Sequence, residues 1–300
     1  YDTTELNGSR IAAPVVDQVV RRTFVDRVDL LGRYPLSPIT RLEANVGVTR
    51  YSYDLELQRT FFSGNTILKY EQSDLKAPSP FVQYQAAAAY VGDNSYFGMT
   101  STLKGYRYRF EVEGNTGKYQ YANLLADYRR YVRVDPFTIA GRGLHYGRYF
   151  GNTQESQLSE IFIGMPTLIR GYGFSSFRSK ECDGGDCAVF ERLFGQRIGI
   201  ANLELRLPVS GPDRLAMIKS QYIPTTLSAF FDAGIAYDGN ESVNLDWVRS
   251  SNKTTIPVFS TGLSLRLNVL GSIILEGYYA YPFQRPDRGG HLGLAISPGW

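Results

Sequence analysis

Long stretches of this chain alternate between apolar and polar residues, and this alternation is the feature that most restricts its fold. In residues 202–209 every second position is Leu or Val, and the positions between them carry Asn, Glu, Arg and Pro. The same period of two runs through residues 227–237 and 259–269. Side chains of a β-strand point alternately to opposite faces, so this period indicates strands rather than helices. The sequence therefore predicts an all-β protein.

Segments of this kind predict about twelve strands, an even number of the kind that transmembrane barrels use. They lie near residues 39–52, 54–62, 81–91, 103–114, 118–133, 136–150, 158–165, 197–209, 225–238, 258–269, 272–283 and 290–300. Tight turns are expected at residues 113–117, 135–136 and 270–271, and long loops at 166–196 and 239–256. Short turns alternating with long loops are typical of barrels that cross a membrane.

The polar face of the predicted strands carries full charges, whereas aromatic residues gather near strand ends on the apolar face. Arg107, Glu204 and Arg266 belong to the charged face, and Tyr279 and Tyr281 to the apolar face. The strands also reach about ten residues, longer than the five or six that are usual in soluble sheets. A soluble sandwich, the alternative for alternating strands, has its apolar side chains inside. The pattern instead favours a transmembrane antiparallel β-barrel with an apolar exterior and a polar interior.

The amino-acid composition is also consistent with a transmembrane β-barrel. The 300 residues include 22 Tyr, 17 Phe and 30 Gly, but only 3 Met, 2 Cys and 2 His. Basic and acidic residues, 32 and 29 in number, are interspersed, so we expect no nucleic-acid partner. No run of about 18 apolar residues, the length of a transmembrane helix, occurs in the sequence. The chain begins at Tyr1 without Met or an apolar leader, which is typical of a processed protein or of a fragment.

The first 37 residues are predicted to be a helical connector, and residues 38–300 the transmembrane barrel. Between Ser9 and Leu31, apolar residues recur at helical spacing, which favours one short N-terminal amphipathic helix. These residues are Ile11, Val15, Val16, Val19, Val20 and Val28. A connector packed on a rim is a simpler interpretation of this helix than a gating plug.

Few residues favour an enzyme. The sequence has no phosphate-binding loop with a Lys, no His-Glu-x-x-His and no nucleophile elbow. The two histidines, His145 and His291, have no Ser or carboxylate pattern nearby that would orient them as bases. A lipase or acyltransferase would need a Ser–His pair that the sequence does not display. We therefore expect no catalytic residue, no metal and no cofactor.

Two cysteines bracket a short Gly-containing segment, Cys182-Asp-Gly-Gly-Asp-Cys187. A metal site would need further Cys or His ligands, so a disulfide in an oxidising envelope compartment is the simplest prediction. The two aspartates between the cysteines are too few for a good site for a hard cation.

Three short motifs resemble those of a known family. Residues 169–172, Ile-Arg-Gly-Tyr, resemble the Val/Ile-Arg-Gly-Phe/Tyr motif of the BamA-type superfamily of outer-membrane assembly and two-partner-secretion translocator barrels. Residues 230–234 are similar to its Phe-x-Asp-x-Gly strand motif, and residues 202–208 resemble its Glu-x-Arg-x-Pro strand. Further resemblance, including that to family barrels that follow a TolB-like propeller, lies in residues 34–43, 93–98 and 127–131.

The resemblance implies that the Arg-Gly-Tyr loop folds inward and is anchored on the barrel wall. By strand parity Glu204 and Asp232 point to the interior, where Arg170 would form charge-assisted hydrogen bonds to them. The alternative is an ordinary surface loop with a solvated Arg170. The candidate functional residues, called the loop latch below, are Arg170, Gly171, Tyr172, Glu204, Asp232 and Gly234.

The resemblance further implies a non-enzymatic machine of the bacterial outer membrane. It would act in outer-membrane protein assembly or in polypeptide translocation, with unfolded β-barrel or secreted polypeptides as clients. Its other partners would be outer-membrane lipid and periplasmic or envelope proteins. A passive channel or a surface-display barrel without insertase activity is the alternative, since it needs only the charged interior.

Family barrels have sixteen strands and usually carry periplasmic POTRA modules ahead of the barrel. We therefore expect this chain either to lack the first strands or to receive a periplasmic module from a partner. In the family the first and last strands meet at a weak seam. Here the seam would involve residues 290–300, whose glycines and proline weaken strand pairing, and the terminal strand would template a client.

Overall fold

The computed structural model describes residues 2–6, 9–151, 158, 160–178, 181, 187–212, 215–220, 222–239, 243, 255–269, 271, 273–285 and 288–296. The strands are β1 (Asp2–Leu6), β2 (Ser9–Ala13), β3 (Val15–Ser37), β4 (Thr40–Ser63), β5 (Thr66–Leu75), β6 (Phe81–Asp93), β7 (Tyr96–Phe97), β8 (Thr102–Gly117), β9 (Tyr121–Val134), β10 (Phe137–Tyr149), β11 (Ile161–Phe162), β12 (Phe194–Gly195), β13 (Arg197–Gly211), β14 (Ile218–Lys219), β15 (Thr225–Tyr237), β16 (Val258–Val269), β17 (Ile273–Pro282) and β18 (His291–Ile296). Helical structure in these ranges comprises α1 (Ala188–Glu191), a 3-10 turn at Phe174–Ser176 and the single 3-10 residue Glu181. In the described ranges, no helix has the length and apolar character needed to span a membrane.

Fourteen of these strands form one sheet, in which strands that follow each other along the chain are mostly neighbours. Its order is β18-β17-β16-β15-β13-β10-β9-β8-β6-β4-β3, and β14, β5 and β7 pair with β13, β4 and β8. The pairs from β8 to β18 along this order are antiparallel. The predicted long loop lies in the segment that joins β10 to β13.

The Cα positions group into two compact units. The first consists of Tyr1–Leu30, Asn45–Ala86 and Thr116–Tyr119. The second consists of Leu31–Ala44, Ala87–Asn115 and Gln120–Trp300. Every residue of the predicted loop latch belongs to the second unit.

In the second unit, charged side chains are buried on one face of the strands and leucines are exposed on the other. On β13, Glu204 and Arg206 are both 0% exposed, whereas Leu203 and Leu205 are 53% and 45% exposed. On β16, Arg266 is likewise buried. Burying charges while exposing leucines is costly in water but is the arrangement that a lipid environment requires. The predicted apolar exterior and polar interior are confirmed.

The predicted N-terminal helix is wrong, because residues 15–37 form the long strand β3. On the neighbouring strand β4, Asp54 Oδ2 and Glu56 Oε2 lie 2.9 and 2.7 Å from Arg22 Nη1. Most of the apolar residues that fit the helical spacing are valines, whose β-branched side chains favour strands. The domain boundary expected at residue 37 stays a prediction.

Twelve strands of six or more residues occur in the described ranges, but they are not the twelve predicted segments. Residues 39–52 and 54–62 form one strand, β4, and residues 158–165 contribute only the two-residue β11. The turn predicted at residues 113–117 is part of β8. Strand β5 was missed because its polar residues occupy both faces and hide the period of two.

We expect Leu263→Arg, on the exposed face of β16, to lower the free energy of folding into lipid vesicles by roughly 2–4 kcal/mol. Leu263 is 56% exposed, and an arginine there would lie in hydrocarbon. The measurement is a urea titration of the protein folded into vesicles. Ile223→Arg is the control, because Ile223 is 55% exposed but lies outside the strands. An equal loss of stability in both variants would contradict a lipid-facing β16.

Candidate functional site

The segment between β10 and β13 is packed internally by aromatic rings, and its apolar residues join a buried cluster with residues of the sheet. Its base is closed where β11 and β12 pair, Ile161 opposite Gly195 and Phe162 opposite Phe194. Five phenylalanine rings of this segment pack together, with centroids 4.9 to 6.1 Å apart in neighbouring pairs. They are Phe162, Phe174, Phe177, Phe190 and Phe194. The loop is therefore a packed element and not an extended surface connection.

The side chain of Arg170 extends from this loop and is buried against the polar face of the sheet, with Arg170 2% exposed. Its Nε and Nη2 donate to Asp232 Oδ2 and Oδ1 of β15, both at 2.8 Å, which is a bidentate pair. Its Nη1 donates to Glu204 Oε1 of β13 at 2.7 Å. The guanidinium carbon lies 3.6 Å from the centre of the Phe230 ring, a close cation–π contact. The structure thus brings Arg170, Glu204 and Asp232 together.

The site is larger than the three charged residues that the sequence analysis selected. Glu276 of β17 accepts a hydrogen bond from Arg170 Nη1 at 3.1 Å, and also pairs with Arg266 of β16 at 3.0 Å. Arg206 and Arg266 both donate to the Glu204 carboxylate, at 2.7 Å and at 2.9 and 3.0 Å. We call the six groups the ion network: Arg170, Arg206, Arg266, Glu204, Asp232 and Glu276.

The ion network is electrically balanced, since three guanidinium groups face three carboxylates. Buried charges are tolerated only when they are paired and hydrogen-bonded, and removing one partner typically costs about 3–5 kcal/mol. A signal for the missed residues is present in the sequence. Arg206 and Glu204 share one face of β13, and Arg266 and Glu276 are directly opposite on paired strands.

Two further side chains of the sheet hold the loop backbone. Arg142 of β10 donates to the Thr167 carbonyl oxygen at 3.0 Å, and its other nitrogens bind Asp127 of β9. Asn202 of β13 donates to the Leu168 carbonyl oxygen at 2.7 Å and to Asp232 Oδ1 at 2.9 Å. Arg142, Asn202 and Asp232 are cross-strand partners in one row of the sheet. One row of side chains therefore holds loop residues 167, 168 and 170.

Gly171 and Gly234 are each favoured at their positions for a different steric reason. Gly171 has a φ of +92°, a backbone conformation that residues with a Cβ rarely adopt. At Gly234 on β15, a Cβ atom would lie 2.1 Å from Ile169 Cδ1, so any larger residue would force the buried Ile169 side chain to move. Tyr172 is 0% exposed, and its hydroxyl lies 2.9 Å from the Phe259 carbonyl oxygen and 2.9 Å from Gln284 Oε1.

Sequence reasoning missed Arg285, which follows β17. Its side chain is 0% exposed and lies against the loop, where its Nη1 donates to the carbonyl oxygen of Gly171, the residue directly after Arg170. No pattern in the sequence points to this residue, because two of its acceptors are the backbone carbonyl oxygens of Gly171 and Ser176 and the others belong to the same loop.

Cys187 is disulfide-bonded, whereas Cys182 lies outside the described residues. The pairing of the two stays a prediction. Among the described residues, no group of His, Cys, Asp and Glu side chains has an arrangement that would hold a metal ion.

We expect Gly234→Ala to weaken docking of the loop by about 1–3 kcal/mol, because the new methyl group overlaps Ile169 Cδ1. Faster protease cleavage within the loop and a lower urea midpoint are the measurements. Adding Ile169→Val removes the overlapping Cδ1 atom and should restore part of the docking. Gly141→Ala on β10 is the control, since no atom lies within 4 Å of a Cβ there. Equal effects of Gly141→Ala and Gly234→Ala would contradict the steric argument.

Comparison with known proteins gives one family and one fold. A family model described as the Omp85 superfamily domain matches residues 31–296. The crystal structure of BamA from Haemophilus ducreyi lacking POTRA domains 1-3 has a TM-score of 0.59 and 15% identity, over 92% of this chain and 55% of that chain. CdiB from Acinetobacter baumannii has a TM-score of 0.53 and 14% identity, over 94% of this chain and 43% of that chain. A comparison with curated proteins finds no match.

This chain spans about half the length of the two solved structures. At such low identity the likeness shows the fold alone, which is the transmembrane antiparallel β-barrel that the sequence predicted. The family model covers most of the chain and includes the loop latch and the strands that hold it. The chain therefore belongs to the Omp85 superfamily, as its Arg-Gly-Tyr loop and its Asp232 and Glu204 strands predicted.

Proposed function

We propose that this chain acts in the assembly of other outer-membrane proteins, by receiving an unfolded β-strand at its terminal strand β18. One observation carries the proposal. Strand β18 ends the order of the sheet and pairs with β17 over only six residues, from Ala280–His291 to Leu275–Ile296. An edge strand offers a row of backbone donors and acceptors to which an extended peptide can add.

The pairing of β18 is weak enough for exchange. Gly293 lies in the middle of the strand, where a glycine costs conformational entropy and contributes no side-chain packing. Leu292, Leu294 and Ile296 are 80%, 86% and 80% exposed, more than Leu203 and Leu205 on β13, because β18 has a neighbouring strand on one side only. A client strand with alternating apolar residues would cover these side chains and add backbone hydrogen bonds.

The ion network supports the strand on which β18 rests. Glu276 of β17 pairs with Arg266 of β16 and accepts from Arg170 of the loop. In the sheet register Glu276 is opposite Ala295 of β18. The docked loop therefore braces β17, so that a client exchanges with β18 and not with the wall behind it.

We infer the bacterial outer membrane as the location and its lipid as the contact of the exposed leucine face. Unfolded β-barrel polypeptides are the clients, and periplasmic or envelope proteins are the partners that deliver them. The activity is non-enzymatic, because strand addition needs only backbone hydrogen bonds and apolar burial. Secreted polypeptides are the clients in the related translocation activity.

A passive channel is the second candidate, and the buried charges of β13, β15 and β16 favour it. The two functions differ in their effect on other proteins. Loss of an assembly factor lowers the amount of other folded outer-membrane proteins, whereas loss of a channel leaves them unchanged.

We expect Asp232→Ala to abolish client assembly while the variant barrel still inserts. Removing this carboxylate leaves Arg170 without its bidentate partner, a change worth about 3–5 kcal/mol in buried pairs. The measurements are the heat-modifiable mobility of the variant and the amount of folded client in cells. Asp135→Ala is the control, because Asp135 is 81% exposed and lies in the turn after β9. Normal client assembly by Asp232→Ala would contradict a role for the loop latch.

We expect a photo-crosslinking residue at position 294 to capture clients during assembly. Leu294 is 86% exposed on the edge strand. The control position is Leu263, which is also exposed but lies on β16 between two paired strands. Crosslinks to nascent barrel proteins from position 294 and not from position 263 would support strand addition. Equal capture at both positions, or capture at neither, would contradict it.

A further inference from the structure

Arg285 lies in the connection between β17 and β18, and its buried side chain contacts the loop between β10 and β13. A guanidinium group has five N–H donors. The Arg285 guanidinium makes five hydrogen bonds, two to the Glu181 carboxylate, one to the Gly171 carbonyl oxygen and two to the hydroxyl and carbonyl oxygens of Ser176. Their lengths are 2.7 to 2.9 Å.

These acceptors are spread over the loop, from residue 171 to residue 181. The guanidinium carbon also lies 3.9 Å from the centre of the Phe177 ring, so one face of the group is covered by an aromatic ring. Burial raises the pKa of the Glu181 carboxyl, but the hydrogen bonds and positive charge of Arg285, together with smaller contributions from Arg178 and Arg288, lower that pKa below its ordinary value. Arg285 therefore holds several turns of the loop together through one fully paired group.

The preceding residue holds the same loop. Gln284 Oε1 accepts from the Phe259 backbone N–H at 2.7 Å and lies 2.9 Å from the Tyr172 hydroxyl. Two successive residues after β17 thus contact the loop directly after Arg170. The two sets of contacts are adjacent in the chain. Arg170 binds the other residues of the ion network, and the carbonyl oxygen of the next residue, Gly171, accepts a hydrogen bond from Arg285.

We propose that Arg285 is a positioning residue that couples the loop to the connection between β17 and β18, so that opening of β18 and release of the loop occur together. This inference rests on the proposed function of β18 as the strand that clients join. The ion network fastens the loop to the sheet. Arg285 links the same loop to the connection between β17 and β18, so a movement of β18 would be transmitted to the loop.

Lysine cannot replace this arginine. An ammonium group has three donors and no planar fork, so it cannot reach the Glu181, Ser176 and Gly171 acceptors together. Arg285→Lys keeps the charge and removes the fork. Arg288→Lys is the matched control, because Arg288 lies in the same connection. Within the described residues, its side chain donates no hydrogen bond to the loop.

The test is amide hydrogen exchange of the purified protein in lipid vesicles without a client. In Arg285→Lys, exchange in residues 171–178 and in residues 291–296 should both rise by roughly tenfold or more, because charged hydrogen bonds are lost. Arg288→Lys should leave both segments unchanged. A rise in the loop alone would mean that Arg285 only stabilises the loop and would overturn the coupling.

A crosslink distinguishes coupling from simple stabilisation. Tyr279→Cys with Leu292→Cys joins β17 to β18 at positions that are register partners. Closing this disulfide should slow exchange in residues 171–178 when Arg285 is present and have no effect in the Arg285→Lys background. The same slowing in both backgrounds, or none in either, would overturn the proposal. Failure of client capture at Leu294 would instead overturn the proposed function, so the two failures are distinguishable.

Discussion

The pairing of Arg170 with Asp232 and Glu204 is the interaction on which the rest of the site depends. It places a full positive charge, 2% exposed, among four strands, β13, β15, β16 and β17, whose own charges need partners. Arg206 and Arg266 already share Glu204, so the wall without the loop would have two guanidinium groups and three carboxylates. Docking of the loop adds Arg170, so that three guanidinium groups pair with three carboxylates. The loop is therefore an electrostatic part of the wall.

Two glycines provide the steric freedom that this loop conformation needs to reach the charges. Gly234 leaves the space that Ile169 fills, and Gly171 adopts the positive φ that turns the chain between Arg170 and Tyr172. The apolar residues around Ile169 and Tyr172 form one buried cluster with residues of β13, β15 and β16. Charge pairing and apolar packing thus favour the same docked position, and neither alone would specify it.

Much of this site was predictable from the sequence, because strand parity places Glu204 and Asp232 on one face and the family resemblance identifies Arg170. Glu276 and Arg266 share that face, but parity does not say which charges meet. Arg285 was not predictable, because its acceptors belong to a loop whose fold depends on long-range packing. Strand β3 was mistaken for a helix because its valines satisfy a helical spacing by coincidence, and only pairing with β4 decides between the two structures. The apolar exterior was predictable because several strands, including β13, β15 and β16, repeat it.

A buried ion network has a consequence for how the loop can move. Removing Arg170 leaves the buried Asp232 carboxylate without its guanidinium partner, whereas Glu204 keeps Arg206 and Arg266, and an unpaired buried charge costs several kcal/mol. A partly released loop would keep Asp232 buried without this partner, whereas docking pairs the carboxylate, and packed elements typically switch between discrete states. Glu276 extends the network onto β17, and Arg285 extends the loop contacts to the connection that leads into β18. An all-or-none loop that is fastened at both places would allow the terminal strand to be held or released as a unit.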